Sequence, residues 1–247
     1  MAEINQYGVK PLFLASCLAA VAMLVAAAPA AAQDEPQIGS RLGKRDYIRS
    51  KLDPTASVQA AHRMAGCVYL KQAPRVNAAL GATDPVEARR RLSALGVKGT
   101  CLNLAIRDQS AEAQQVSFPT DVYRGMLAEA ALRKDYARRT LAALPRERTY
   151  SRPWFATTSR PTVVDEMGAC VADTDPAGVQ ALLGTTPETD NEKAAIKRLM
   201  PSVGPCLTAG ATLNANRQSL RAALAEALYH RFRAPASPTA SPAGSPR

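Results

Sequence analysis

Laid over each other without a gap, Cys67–Thr83 and Cys170–Thr186 agree at seven of 17 positions. The matches are Cys67/Cys170, Val68/Val171, Val76/Val179, Ala78/Ala181, Leu80/Leu183, Gly81/Gly184 and Thr83/Thr186. Met64 and Met167 each stand three residues before their cysteine. Further on, Cys101-Leu102 matches Cys206-Leu207, and Arg124-Gly125-Met126-Leu127-Ala128-Glu129-Ala130 matches Arg221-Ala222-Ala223-Leu224-Ala225-Glu226-Ala227. Three blocks recur in one order at offsets of 103, 105 and 97 residues. Insertions therefore fall only between blocks, which reads as a duplicated unit of about 70–80 residues.

Duplication bears directly on the cysteines. Beyond the first 32 residues the chain has four: Cys67, Cys101, Cys170 and Cys206. An even number in an exported chain reads as a disulfide framework, and four cysteines allow three pairings. Each repeat holds one early and one late cysteine, 34 residues apart in the first and 36 in the second. One bridge per repeat, Cys67–Cys101 and Cys170–Cys206, is the simplest arrangement. No C-x-x-C spacing is present, so a redox role has no support.

Ala, Leu and Arg are abundant and aromatic residues make up 5% of the chain, a balance that favours helices over sheets. In the first repeat the pattern predicts a helix over Ser57–Leu70, a short one from Pro74 to Leu80 closed by Gly81, and another from Asp84-Pro85 to Leu95 stopped by Gly96. The second repeat predicts helices over Thr162–Val171, Pro176–Leu183 and Asn191–Met200, the last stopped by Pro201. Final helices start near Thr120 and Asn216. Tyr123, Leu127 and Ala131 share one face of the first, and Leu220, Leu224 and Leu228 one face of the second. The expected fold is all-α: two tandem disulfide-tied helical repeats of about four helices each, with no sheet. In each, the bridge ties an early helix to the loop before the last.

The segments divide accordingly. Residues 1–32 carry Lys10, an apolar run from Pro11 to Ala28 and a small-residue stretch ending at Ala32, the order of a secretory signal peptide. Leu14-Ala15-Ser16-Cys17 resembles the lipobox of bacterial lipoproteins, which implies a lipid anchor on Cys17. In that family the apolar core precedes the cysteine, whereas here the longer apolar run follows it. Residues 33–56 form an extension, 57–134 the first repeat, 135–160 a basic linker whose pattern allows a helical continuation to Leu144, 161–232 the second repeat, and 233–247 a Pro/Ala/Ser-rich tail expected to be disordered. No membrane span is expected once the signal peptide is removed, and the location implied is periplasmic or secreted.

Charge is uneven. Residues 133–160 carry eight cations against two acids, residues 57–101 seven against two, and residues 161–206 three against seven. A basic exported chain meets anionic envelope components or an acidic protein rather than nucleic acid. Candidate contacts are Arg138, Arg139, Arg146, Arg148, Arg152 and Trp154 in the linker, with the matched Arg124 and Arg221. For those two arginines the alternative is structural: the stem lies on its own core and the head bonds local carbonyls or an acid. Arg124 and Glu129, like Arg221 and Glu226, are five apart and do not face each other on one helix. Glu129 and Glu226 read as exposed helical residues, although an acid pair brought together by packing of the two repeats would suit a glycosidase.

Catalytic motifs are missing: there is no G-x-S-x-G, no H-E-x-x-H and no phosphate loop. His62 and His230 stand outside any motif, and neither a metal nor a cofactor is implied. The sequence thus describes an exported, non-catalytic binding or structural envelope protein. The alternative is a small-ligand or cell-wall hydrolytic enzyme with its site between the repeats.

Overall fold

Prolines and short polar caps set most of the helix boundaries. The structure, a computed structural model, describes residues 54–96, 99–105, 118–207 and 215–234, all within the unit Arg49–Arg247. The signal-peptide reading, most of the extension and most of the C-terminal tail lie outside the described residues. Among the described residues there are eight α-helices and no strand.

Helix α1 (Pro54–Leu80) runs through both of the first two expected helices but is kinked at Gln72 (φ −138°, ψ 28°). Pro74 explains the kink, because it has no N–H to donate and its ring crowds the carbonyl four residues back. Gln72 uses the bend to donate from Nε2 to the Leu95 carbonyl at 2.7 Å. Helix α2 (Pro85–Ser93) starts under Asp84, whose Oδ1 accepts from the Glu87 N–H at 2.7 Å, and Gly96 follows its end at φ +52°. Cys101 was expected in a loop; it lies on the short helix α3 (Gly99–Ala105).

Helix α4 (Thr120–Asp135) stops well short of Leu144, where its pattern had suggested a continuation. The reason is tertiary. The Tyr136 ring stacks on Phe232 at 4.9 Å and the Arg139 guanidinium lies over both rings. Downstream, the Leu144 N–H donates to the Asp173 carbonyl at 2.7 Å and Gln180 donates to the Arg139 carbonyl at 2.8 Å. Residues 136–152 are thereby laid along the C-terminal half as a non-helical connector, which ends in a 3-10 turn at Pro153–Thr157.

Helix α5 (Thr162–Thr174) and helix α6 (Pro176–Leu183) part at Asp175, whose side chain caps the Gly178 N–H. Helix α7 (Asp190–Val203) is capped by Thr189 and runs past Pro201, the residue expected to stop it, into a 3-10 turn, Gly204–Cys206. A proline near the end of a helix removes only one backbone hydrogen bond there. Helix α8 (Arg217–Arg233) begins under Asn216.

Four of the helices lie in the order α1, α4, α8, α5, each packed on the next. The central pair comes very close: a Cβ on Gly125 would sit 2.3 Å from Cα and Cβ of Ala222. Glycine there is what lets α4 and α8 touch. A single core runs through both halves, with Met64, Val68, Leu127, Met167, Val171, Leu224 and Leu228 all buried in it. Helix α8 is buried almost all round from Leu220 to Tyr229, so its single apolar face understates its environment.

Two disulfides tie the flanks: Cys67 to Cys101, and Cys170 to Cys206, with Cα–Cα distances of 5.5 and 5.6 Å. Each closes a loop inside its own half and contributes about 3–4 kcal/mol on the loop-entropy model. Such bridges belong to a non-reducing environment.

Candidate functional site

The charged residues shared by the matched α4 and α8 segments meet across the central seam. Arg124 on α4 bonds Glu226 on α8 through Nε (2.9 Å) and Nη2 (2.5 Å), both to Oε1. Reciprocally, Arg221 on α8 bonds Glu129 on α4 through Nε and Nη2, both at 2.8 Å, one to each carboxylate oxygen. Arg124 also reaches the carbonyls of Ala79 and Leu80 that end α1, and Arg221 those of Leu182 and Leu183 that end α6. Each arginine therefore closes the C-terminal end of a helix in its own half while neutralising a carboxylate of the other.

Further partners complete the lattice. Arg221 Nη1 is 2.9 Å from Glu192, Arg133 lies 2.7 Å from Glu129, and His62 Nδ1 lies 3.4 Å from Glu129. Around Glu226, Arg160 donates at 2.5 Å and His230 stands 3.9 Å away. Arg160 also pairs with Asp165 at 2.8 Å, and Thr158 donates to that same carboxylate.

Arg124, Arg221, Glu129 and Glu226 are all buried, each 3% exposed or less. The glutamates were expected on the surface. Burial alone would raise the pKa of Glu129, but the hydrogen bonds and charges of Arg221 and His62 reverse it, to about 2. Burial opposes the ionised form of Glu226 too, and Arg160 and Arg124 overcome it, holding that carboxyl well below the usual range. Burial pushes the His230 imidazole down, against the pull of Glu226.

Of the expected surface contacts, Arg138, Arg139, Arg146 and Arg148 are exposed. Arg139 is engaged with Tyr136 and Phe232, and Arg152 pairs with Glu147 at 2.6 Å. No acid among the described residues pairs with Arg138, Arg146 or Arg148. Trp154 is buried, with its ring stacked on His230 at 4.4 Å and 5°. Arg124 and Arg221 sit inside the protein with their donors occupied, so neither reaches an external partner.

Sequence reading missed a groove of about 510 Å³ between α1, α4 and the Thr186-Pro187 turn. Its wall is mainly apolar, through Gly66, Leu70, Met126 and Ala130, with Arg63, Arg133 and Lys134 on its border. Glu129 and His62 also line it, so the groove opens onto the edge of the buried lattice. Helical spacing holds the one usable signal: Arg63, Gly66 and Leu70 recur on one side of α1, a side where a cation and a glycine interrupt the apolar pattern.

Among the described residues no group of three His, Cys, Asp or Glu side chains stands ready for a metal, and no helix is long and apolar enough to cross a membrane. No family model, curated protein or solved structure matches the chain.

Proposed function

We propose that this chain is a duplicated, exported, non-catalytic binding component of a bacterial cell envelope that engages an anionic partner through its basic connector. Export is supported by the signal-like order of residues 1–32 and by the two disulfides. Duplication is supported by the matched roles of Arg124 and Arg221. The carbonyls they bond, Ala79 with Leu80 and Leu182 with Leu183, occupy corresponding places in the aligned blocks.

The observation that carries the binding role is the state of the connector. Arg138, Arg146 and Arg148 are exposed without an acidic partner among the described residues, on a backbone fixed at Arg139, Ala142 and Leu144 by Gln180, Arg231 and Asp173. Cations held on an ordered backbone lose less freedom on binding. A hydrolytic role through the acid pair is disfavoured, because salt bridges keep both Glu129 and Glu226 ionised and neither holds a proton to donate.

The test is sedimentation of the protein with vesicles containing phosphatidylglycerol, against vesicles of phosphatidylcholine alone. At about 1 kcal/mol per cation near an anionic surface, replacing Arg138, Arg146 and Arg148 with alanine weakens binding on the order of a hundredfold. Molar salt abolishes it. Equal binding by wild type and triple variant, or none at low salt, overturns the reading.

A further inference from the structure

Two glycines in the long helices have clear packing reasons: a Cβ on Gly125 would strike Ala222, and one on Gly168 would sit 3.2 Å from the Ala223 carbonyl. Gly66 has none. It lies inside α1, where glycine weakens a helix relative to alanine, yet a Cβ added there meets nothing within 4 Å. What the missing side chain leaves open is the groove that Gly66 lines.

The groove runs along two helices. Gln59 and Leu70 are about 16 Å apart along α1, and Met126 and Lys134 about 12 Å apart along α4, at 1.5 Å per residue. Leu70 stands 67% exposed at its edge, the most exposed large hydrophobic side chain among the described residues. Three cations border it, and the one carboxylate on its wall, Glu129, is already neutralised by Arg221. Arg133 is fixed in place by the Leu183 and Thr185 carbonyls as well as by Glu129. The second buried carboxylate, Glu226, has the chain's own cover, with Trp154 stacked on the neighbouring His230.

We infer that the groove between α1 and α4 binds a single-chain anionic amphiphile. The alkyl chain lies along Gly66, Leu70, Met126 and Ala130, and the carboxylate or phosphate head faces Arg63, Arg133 and Lys134. This extends the reading of a basic envelope-binding protein to a second site, with its own chemistry. Carboxylate and phosphate heads share that chemistry, and the titration arms separate them.

The experiment is calorimetric titration of the intact protein with alkyl carboxylates and alkyl phosphates of increasing chain length, kept below their micelle concentrations, and with the uncharged alkyl alcohols. Affinity is expected to rise up to about fourfold per buried methylene until the groove is full. The alcohols bind at least about tenfold more weakly than the matched anions, and Lys134→Glu removes most of that difference. Gly66→Trp fills the groove from a position with open space, and is expected to keep the helical spectrum while losing binding by more than about tenfold. Gly66→Ala raises the melting temperature, as a helix glycine without a packing role should. Affinity independent of chain length, alcohols that bind as tightly as anions, or unchanged binding by Gly66→Trp overturns the proposal. A groove already covered by a chain segment outside the described residues would admit none of these probes and would make Gly66→Trp destabilising, which also overturns it. Because vesicle binding is read on Arg138, Arg146 and Arg148, failure of either site leaves the other measurable.

Discussion

Glu226→Gln should be the most damaging single change in the ionic lattice, because of what it leaves behind. Glu226 is fully buried and accepts from Arg124 on one oxygen and from Arg160 on the other. The side chains of those arginines are 1% and 2% exposed. Glutamine preserves the shape but not the charge, so Arg124 loses the one carboxylate it bonds among the described residues, while Arg160 keeps Asp165. Uncompensated buried charge of this kind costs about 3–5 kcal/mol. For a domain of this size that lowers the melting temperature by about 6–20 °C.

Glu129→Gln should cost less, about 1–3 kcal/mol. Arg221 keeps Glu192 at 2.9 Å, and Arg133, with its side chain 51% exposed, stays in water. Adding Arg124→Met to Glu226→Gln should recover part of the loss, since the cation left without a carboxylate is then gone. Thermal and urea unfolding of the oxidised protein, followed by far-UV circular dichroism, measures all three. A Glu226→Gln variant within about 1 kcal/mol of wild type, or one milder than Glu129→Gln, refutes the argument that charge balance decides the cost.

Three further outcomes follow from the same geometry. Acid should unfold the protein steeply. The Glu129 pKa falls from 4.5 to about 2 on folding, so its stabilisation is complete above the unfolded value and is lost as pH drops from 4.5 towards 2. That is worth about 3 kcal/mol, with Glu226 acting in the same direction, and urea midpoints across that range report it. Gly125→Ala should destabilise by at least about 1–3 kcal/mol through overpacking against Ala222, the opposite sign from Gly66→Ala; melting curves of the pair decide it. Replacing Cys67 with Cys101, or Cys170 with Cys206, by serine pairs should cost about 3–4 kcal/mol each, and non-reducing peptide maps of the parent should show only within-half bridges.

The helices were legible because their signals are local. Asp84-Pro85 and Asp175-Pro176 mark starts that the structure keeps, and the separations of the cysteines match the two bridges observed. The ionic lattice was not, for a reason visible in the spacing. Arg124 and Glu129 do diverge on α4, as an i,i+5 pair should, and a glutamate turned away from the apolar face of its own helix reads as exposed. With α4 lying against α8, the same divergence sends each residue to its counterpart on the opposite helix. Only contact between helices distant in sequence reveals this. The connector was misread similarly. Its helix-compatible stretch to Leu144 loses to long-range bonds from Asp173, Gln180 and the Tyr136–Phe232 stack, and Trp154 proved to be a cover for His230 rather than a surface anchor.

Reciprocal pairing also limits how the two halves move. Sliding α4 against α8 by one helical turn would break four charged bonds at once and drive Gly125 away from Ala222, where it leaves room for the close approach of the two helices. Arg133, which borders the groove, is fastened to Leu183 and Thr185 of the C-terminal half, while the groove's other wall, α1, is tied through Arg124 to Glu226. The charges that hold the halves together therefore also fix the groove's walls. A ligand entering it meets a preformed site, where little of the binding energy is spent on ordering the protein.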